Sequence, residues 1–372
     1  MAVLEHKFTG PPFTIGIEEE LMIVDPEGLD LAQAIDSLLD NVPPDLDGQV
    51  KPELMQSVLE VATRPCGGVA EAGEELRNLR RAVTEVAERQ GLLIAAAGTH
   101  PFAHWEDQLI VERPRYKELA DELGYVARQE LIFGTHVHVA IEDPDRAIYV
   151  ADGIRQYLPM LLALSSNSPF WHGQLTGMMS ARTPVFRAFP RVGIPPHYGT
   201  WEIYSNRMEL MMRAGAIEDY TFVWWDVRPH PNLGTVETRV FDQQTRVEHT
   251  VSLAALTAAL AHRMSALYDQ EQPLVEYPTE LVDDNKVRAA LRGMEGTLVD
   301  FRHAEQCPAT QMVGRLLDEL VEHAQELGCA DEMSGVRDLL ERGTGARRQI
   351  ALYERTGDLQ QLTHEIVETS RA

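Results

Sequence analysis

The chain has 372 residues, and its 33 Lys and Arg against 58 Asp and Glu give a formal net charge of −25 at pH 7. Because like charges repel, this charge disfavours binding to bare DNA or RNA and to an anionic membrane surface. The 44% of hydrophobic residues suffice for a large buried core, so an intrinsically disordered protein is excluded.

The cysteines and the N-terminal residues bear on the compartment. Cys66, Cys307 and Cys329 are odd in number and far apart, so they form no disulfide framework and favour a reducing cytosol. Residues 1–13 contain no apolar run of the kind found in signal peptides. The longest apolar stretch, at 158–164, contains a proline and is too short to cross a bilayer. We therefore expect a cytoplasmic protein without a membrane partner.

The first half of the chain alternates strand and helix patterns. The helix at 69–90 is indicated by apolar residues that recur at helical spacing with charges between them. Pro144 opens a second long helix, since proline is tolerated in the first turn. Together the patterns predict strands at 14–24, 54–63, 92–99 and 131–141, and helices at 69–90, 114–129 and 143–165.

The second half begins with an irregular segment at 167–196. It is rich in Gly, Pro, Ser and Arg, and loops of this length in compact chains are usually functional. We interpret the segment as a lid over a site. Beyond it the patterns predict strands at 223–228 and 235–241, then helices at 247–270, 283–300, 308–327, 331–342 and 345–370.

These elements predict an α+β fold, with one mostly antiparallel sheet, helices on one face of it and a helical C-terminal third. The sequence shows no internal repeat and no linker. We therefore expect residues 1–372 to form a single domain. Its sheet-rich part, at 13–245, holds the active site, and its mainly helical part lies at 246–372.

Three consecutive glutamates lie on the first predicted strand. Side chains alternate between faces along a strand, so Glu18 and Glu20 share one face and Glu19 points to the other. Two neighbouring carboxylates on an apolar strand repel each other unless a cation lies between them. We interpret Glu18 and Glu20 as ligands of a hard cation such as Mg²⁺, with a solvated edge strand as the alternative.

Glu53 and Glu60 form the next acidic pair. Their spacing of seven places them on opposite faces of a continuous strand. They converge only if Glu53 lies in a preceding turn or if a bulge intervenes. By itself this pair is therefore weak evidence for a site.

Two further strands carry polar side chains at alternate positions on apolar frames. His136 and His138 share one face, a geometry suited to metal ligation or charge stabilisation. Glu237 and Arg239 also share a face, and a cross-strand ion pair is the alternative there. If these faces coincide with that of Glu18, the sheet carries a trough of negative charge that requires bound cations.

Polyphosphate is the substrate class that matches a trough of metal-binding carboxylates. The sequence contains no GxxxxGK[ST] and no GxGxxG that opens a helix. It has only four lysines, so contacts to phosphate fall mainly to arginines, which bind phosphate or carboxylate in a bidentate way. Candidates in the irregular segment are Arg182, Arg187 and Arg191.

Seven motifs, in the same order, resemble those of the type 2 glutamate–cysteine ligase-like family of ATP-dependent carboxylate–amine ligases. They lie at 16–20, 53–63, 134–139, 180–196, 234–242, 284–290 and 343–349. The resemblance implies a glutamine-synthetase-like catalytic fold, whose curved sheet holds ATP and two or three Mg²⁺ ions on its concave face. It also implies that ATP phosphorylates a carboxylate and that an amine attacks the acyl phosphate to form an amide. In the family the acid is typically glutamate, through its γ-carboxylate, and the amine is typically cysteine.

The resemblance further implies roles for individual residues. Positions that match metal ligands are Glu18, Glu20, Glu53, Glu60, His136 and Glu237. Arg239, His136 and Arg182 are the implied catalytic residues, because phosphoryl transfer depends on charge stabilisation. Arg182, His138 and Arg288 are the implied contacts of the nucleotide, although related ligases carry a different polar residue at the place of His138.

Two other functions stay open at this point. A metal-dependent hydrolase could use the two histidines and the glutamates without ATP, and a catalytically silent binding module could keep the same fold. The glutamate-rich ligand set and the flanking arginines favour the ligase. The expected partners are small-molecule substrates, an amino acid and an amine. A homodimer through the long C-terminal helices is an open alternative to a monomer.

Overall fold

The computed structural model describes residues 4–371. Its strands are β1 (Ile15–Val24), β2 (Val50–Pro52), β3 (Val58–Ala62), β4 (Leu93–Ala95), β5 (Gly134–Ala140), β6 (Phe170–Trp171), β7 (Gln174–Leu175), β8 (Val192–Gly193), β9 (Trp224–Trp225), β10 (Val227–His230), β11 (Thr235–Asp242), β12 (Thr297–Asp300) and β13 (Glu305–Pro308). Its α-helices are α1 (Ile35–Leu39), α2 (Val69–Arg89), α3 (Pro114–Leu123), α4 (Tyr125–Arg128), α5 (Pro144–Ile154), α6 (Leu158–Ser165), α7 (Arg182–Phe186), α8 (Trp201–Arg213), α9 (Val247–Asp269), α10 (Thr279–Arg292), α11 (Ala309–Glu326), α12 (Ala330–Ser334), α13 (Val336–Arg342), α14 (Gly345–Thr356) and α15 (Leu359–Ser370). None of the helices within residues 4–371 combines the length and the apolar character needed to cross a membrane.

Seven strands form the main sheet, in the order β10-β11-β5-β1-β3-β2, with β4 beside the C-terminal half of β1. All of these pairings are antiparallel. Strand β1 is central because its apolar residues are buried, among them Ile15, Ile17 and Leu21. The prediction of a mostly antiparallel sheet is therefore confirmed.

Helices α2 and α9 cover the face of the sheet toward which Glu19 points. The apolar stripe of α2, which includes Leu76 and Val83, is buried, and α9 is buried along most of its length. The strands and α9 thus share one hydrophobic core, as a single domain requires. The bounds of that domain stay a prediction.

Two predicted helices are each divided by a glycine. Gly124 separates α3 from α4, and Gly357 separates α14 from α15. Their φ angles are 54° and 64°, a region that glycine enters without the steric cost of a Cβ and that ends an α-helix. Helical periodicity continues across both breaks, which explains why the sequence predicts single helices at 114–129 and 345–370.

Two other predicted elements are wrong in part. The helix predicted at 283–300 ends at Arg292, and residues 297–300 instead pair with β13 in a hairpin. Gly293, with a φ of 52°, allows the change of direction. The strand predicted at 54–63 is shorter, because a turn precedes β3. Helix α8 and the β12–β13 hairpin have no predicted counterpart.

Candidate active site

The first glutamates and the two histidines meet on one face of the sheet. Glu18 on β1 lies directly opposite His136 on β5, and Glu237 on β11 lies opposite His138. Oε2 of Glu18 is 3.2 Å from Nδ1 of His136 and 3.6 Å from Nε2 of His138. Ligand atoms of Glu18, His136 and Glu237 all lie within 4.8 Å of one another. The three strand faces therefore coincide.

A second group of carboxylates lies beside the first. Glu20 is directly opposite Glu60 in the pairing of β1 with β3. Glu53 follows β2 and precedes the turn into β3, so the turn required by its spacing from Glu60 is present. Glu130, just after α4, lines the same cavity. Lys51 donates to Glu60 at 2.9 Å.

Burial and mutual repulsion raise the pKa of each member of this second group. Loss of hydration is the largest cause for Glu20, Glu53 and Glu60, and neighbouring carboxylates add to it. Burial, reinforced by the charge of Glu20, raises the pKa of Glu130 to about 8. Binding of a proton or a cation relieves this repulsion, so the group attracts positive charge.

Glu18 shows the opposite shift. Burial by itself would raise the pKa of Glu18, but the charge of His138 and a hydrogen bond from His136 hold it well below its usual range. Burial and the Arg239 guanidinium lower the pKa of His136 to about 4. A neutral imidazole that donates from Nδ1 to Glu18 keeps the lone pair of Nε2 free. Nε2 of His136 is buried, and no described residue bonds to it.

Two arginines hold Glu237. Nε of Arg228 donates to its Oε2 at 2.6 Å, and Arg239 donates to its Oε1. Burial opposes ionisation, but the two guanidinium groups hold the pKa of Glu237 well below its usual range. In the same way Glu237 outweighs burial and raises the pKa of Arg239. Arg239 is therefore a fixed cation beside the carboxylates.

Arg182 reaches this group from the irregular segment. It is the first residue of α7 and lies over Gly134, where a Cβ would collide with its guanidinium. Together with Arg239 it lines a recess of about 30 Å³ that also touches Glu20 and Glu53. Its Nε is buried, and no described residue bonds to it. Two positive groups thus face the carboxylates.

The polar side chains of the sheet line one cavity of about 320 Å³. Its walls are aromatic residues from α3, from the irregular segment and from the chain before β10: Tyr116, Phe186, Phe189, Phe222 and Trp224. Apolar walls exclude water and lower the local dielectric constant, so that charges inside interact more strongly.

Asp242, the last residue of β11, anchors the irregular segment beneath the site. One carboxylate oxygen accepts hydrogen bonds from the amide of Asn167 at 2.8 Å and the hydroxyl of Ser168 at 2.7 Å. The other accepts from the hydroxyl of Ser180 at 2.8 Å. The amide of Arg182 then donates to Oγ of Ser168 at 3.1 Å. The segment thereby positions Arg182, and its action as a lid stays a prediction.

Arg288 is not brought to this cavity. It lies partly exposed on α10, where its Nε is 2.7 Å from a carboxylate oxygen of Asp284, and it is absent from the cavity lining. Its placement does not support the predicted role as a nucleotide contact. Two residues earlier, Lys286 is buried and binds Asp226 at 2.6 Å. The motif at 284–290 therefore points its lysine, rather than its arginine, into the protein.

Arg228 and Glu130 also line the cavity, although neither is among the residues predicted from the sequence. Arg228 and His230 alternate on β10 and both line the cavity, so the spacing used for the other strands could have found them. Glu130 lies between a short helix and β5, where no periodicity marks it. Only the fold brings it to Glu20.

The donor set fits a hard divalent cation. Magnesium prefers carboxylate oxygens, and the cavity offers those of Glu18, Glu20, Glu53, Glu60 and Glu237. The buried Nε2 atom of His136, to which no described residue bonds, adds one nitrogen donor. In the second group Lys51 pairs with Glu60, and a bound cation would relieve the repulsion among the buried carboxylates. The number of ions stays a prediction.

Comparison with known proteins places these features in a family. A sequence model described as glutamate–cysteine ligase family 2 (GCS2) matches residues 14–365. A relative from Rubrobacter xylanophilus, provisionally named glutamate–cysteine ligase 2-1, is 41% identical over 368 residues, which cover 99% of this chain and 97% of its own. A relative from Sorangium cellulosum, provisionally named glutamate–cysteine ligase 2, is 41% identical over 360 residues, or 96% of each chain.

Solved structures share the fold at low sequence identity. Glutamate–cysteine ligase from Francisella tularensis, in complex with AMP, has a TM-score of 0.71 at 14% identity, with 99% of this chain and 90% of that chain covered. A bifunctional glutathione synthetase from Pasteurella multocida has a TM-score of 0.70 at 17% identity, with 97% and 51% covered. The predicted fold class is confirmed, and the chain belongs to glutamate–cysteine ligase family 2.

Proposed function

We propose that this protein is an ATP-dependent carboxylate–amine ligase that joins glutamate, through its γ-carboxylate, to an amine such as cysteine. The observation that carries the proposal is one cluster of metal-binding and phosphate-binding groups. Glu18, His136 and Glu237 meet within 4.8 Å, and Nη1 of Arg239 lies 3.4 Å from Nδ1 of His136. Membership of the family and the fold shared with an AMP-bound ligase support ATP as the phosphoryl donor.

The proposed reaction has two steps. An oxygen of the substrate carboxylate attacks the γ-phosphorus of ATP, and ADP leaves. The amine nitrogen then attacks the acyl carbon and loses a proton, and phosphate leaves with the electrons of the broken C–O bond. Neither step needs a protein nucleophile, because positioning and charge stabilisation suffice. The buried state of Cys66, Cys307 and Cys329 agrees with such a mechanism.

The residues of the site divide these tasks. The proposed ligands of Mg²⁺ are Glu18, Glu20, Glu53, Glu60, His136 and Glu237. When bound, Mg²⁺ neutralises and orients phosphate oxygens. Arg239 and Arg182 stabilise the charge on the transferred phosphoryl group. Nδ1 of His138 is 3.0 Å from Oγ1 of Thr235, and its Nε2 lies 3.6 Å from Oε2 of Glu18; we assign this side of the imidazole to contact with the nucleotide phosphates. The aromatic walls shield the acyl phosphate from water.

Phosphate release from ATP in the presence of Mg²⁺, glutamate and a panel of amines tests the proposal. We expect release that requires both glutamate and an amine, together with a γ-glutamyl amide detected by mass spectrometry. A Glu18→Gln variant should lose this turnover, because one charge of the metal-binding cluster is removed. Glu248→Gln, which removes an exposed carboxylate on α9, is the matched control and should retain it.

Several outcomes would contradict the proposal in different ways. If no amine of the panel leads to phosphate release, the result would favour a silent binding module. Amide or ester hydrolysis without ATP would favour the metal-dependent hydrolase. Turnover with another acid or amine would keep the ligase and replace only glutamate or cysteine as its substrate.

A further inference from the structure

A second cavity, of about 510 Å³, lies between the end of β11 and helices α9, α14 and α15. It shares no lining residue with the candidate active-site cavity. Its charged lining consists of Arg246, Arg342, Arg347, Arg348, Arg355 and Glu365. We refer to this space as the basic cavity. The motif at 343–349, which the proposed reaction does not use, forms one side of it.

The charge of the basic cavity is opposite to that of the chain. Five arginines against one carboxylate line it, in a chain with a net charge of −25. Part of this positive charge is compensated from behind, since Asp338 lies 3.1 Å from Arg342 and 2.7 Å from Arg348. Arg347 reaches Glu295 at 3.1 Å. The positive charge that is left favours the binding of an anion, although solvent screens the exposed arginines.

Two of the five arginines are available to such an anion. Arg246 and Arg355 form no ion pair with any residue in the range 4–371, and the guanidinium of Arg355 donates only to the carbonyl of Ala351, in its own helix, at 3.0 Å. Arg246 lines the cavity from the residue before α9, and Arg355 lines it from α14. Guanidinium groups bind phosphate and carboxylate by paired, charge-assisted hydrogen bonds.

The cavity also has an apolar side. Leu352 on α14 and Leu362 and Ile366 on α15 form it. Leu362 and Ile366 belong to the smaller hydrophobic core, so their positions are fixed. A ligand that fits both sides carries anionic groups and an apolar part, because burial of apolar surface adds to binding.

Hydrogen bonds connect the basic cavity to the candidate active site. Gln349 and Thr245 both line the cavity, and both bind the side chain of Asn167, at 2.8 Å and 3.0 Å. Asn167 precedes Ser168, whose hydroxyl accepts from the amide of Arg182 at 3.1 Å. Gln349 and Thr245 are thus connected to Arg182 through Asn167 and Ser168.

We propose that the basic cavity binds a small organic polyanion, with phosphate or carboxylate groups on Arg246 and Arg355 and an apolar part on Leu352 and Ile366. Binding there changes the position of Arg182 and thereby the affinity for ATP. The first statement is independent of the reaction catalysed. The second rests on the proposed function.

Calorimetric titration of the full chain without Mg²⁺ tests the binding. The probes are inorganic phosphate, phenyl phosphate and citrate. The double variant Arg246→Gln/Arg355→Gln should bind phenyl phosphate or citrate more than about tenfold more weakly, because two charge-assisted contacts are lost. The control Arg81→Gln/Arg213→Gln removes the same charge from exposed positions and should bind like the unmodified protein.

Each result decides one part of the proposal. Absence of binding by every probe, or equal weakening in both double variants, overturns the site. Phenyl phosphate that binds no more tightly than inorganic phosphate overturns the apolar contact. Preference for citrate or for phenyl phosphate distinguishes a carboxylate ligand from a phosphate ligand.

A second titration tests the coupling. The Kd for ATP with Mg²⁺ should change by about fivefold or more when the probe is saturating, and the probe's Kd should change by the same factor when ATP is saturating. In Arg246→Gln/Arg355→Gln the Kd for ATP should not respond to the probe. Probe binding without this response overturns the coupling alone. Failure of ATP to bind contradicts the proposed function but not the anion site.

Discussion

Glu18, Glu19 and Glu20 lie on one strand, but the partners of their carboxylates differ between the two faces of the sheet. Glu19 has no exposed surface, and Arg80 donates to its two oxygens at 2.6 Å and 2.7 Å. The hydroxyl of Thr250 adds a third bond at 2.6 Å. On the other face Glu18 has two histidines, and Glu20 receives one backbone amide, from Gly134.

The difference distinguishes Glu19, whose charge is paired within the fold, from Glu18 and Glu20, whose charges face the cavity. Glu19 is absent from the cavity lining and is held by its internal partners, so its removal strands the charge of Arg80. Carboxylates that open to a cavity with incomplete partners gain stability when a cation arrives. We therefore expect substitution of Glu19 to lower the stability of the fold and substitution of Glu20 to lower activity, although both residues are glutamates.

The largest expected effect falls on the site. An Arg239→Ala variant should lower kcat for phosphate release by about 10³- to 10⁵-fold, because it removes the fixed cation that we propose faces the transferred phosphoryl group. Arg228 still holds Glu237 at 2.6 Å, so the fold should survive, which circular dichroism checks. A loss of less than about tenfold in the folded variant would contradict the role of Arg239.

The other face should respond in stability instead. Arg80→Met leaves the Glu19 carboxylate buried with the Thr250 hydroxyl as its remaining partner, and we expect the free energy of unfolding to fall by about 3–5 kcal/mol. Urea unfolding measures it. The double variant Arg80→Met/Glu19→Leu should recover much of this loss. A double variant no more stable than Arg80→Met would contradict the stranded Glu19 charge as the cause of the loss.

Glu20→Gln tests the comparison from the other side. Turnover should fall by about 10²- to 10³-fold, because one carboxylate of the proposed metal site is lost. The free energy of unfolding should stay equal or rise, since a charge with a raised pKa is removed. Steady-state kinetics and urea unfolding of the same sample measure both. Full activity in this variant would reject the metal assignment.

A smaller effect is expected from pH on the protein without Mg²⁺. The pKa of Glu130 rises from 4.5 to about 8 in the fold, so the folded state binds more protons than the unfolded state between these values. Its stability should therefore decrease as pH rises through this window. Thermal melting at several pH values measures the slope. Glu130→Gln and added Mg²⁺ should each flatten it, and an unchanged slope in Glu130→Gln would contradict this origin.

The smallest effect is expected on α10. Arg288→Ala removes a partly exposed pair with Asp284, and such pairs contribute about 0–1 kcal/mol. We therefore expect kcat to change by less than about twofold. The free energy of unfolding should change by less than about 1 kcal/mol. Lys286→Met strands the buried Asp226 and should destabilise the protein far more. A large loss of ATP affinity in Arg288→Ala would restore its predicted role as a nucleotide contact.

The sequence determined the local geometry of the site. Alternation along a strand is a property of the backbone, so Glu18 with Glu20, His136 with His138, and Glu237 with Arg239 had to share faces wherever their strands lay. The convergence of Glu53 with Glu60 depended on a turn, which the odd spacing required. The order of the motifs was enough to indicate the family and, through it, the fold.

Only the tertiary structure decided which faces meet and what each charge touches. The order of β11, β5, β1 and β3 places residues more than a hundred positions apart in direct opposition, as with Glu18 and His136, and no local periodicity encodes such pairings. Glu130 reaches the site, and Arg80 reaches Glu19, through packing alone. Lys286 rather than Arg288 turns inward because packing fixes the rotation of α10. Local backbone geometry thus sets which side chains share a face, and long-range packing sets which of their charges are left for a ligand.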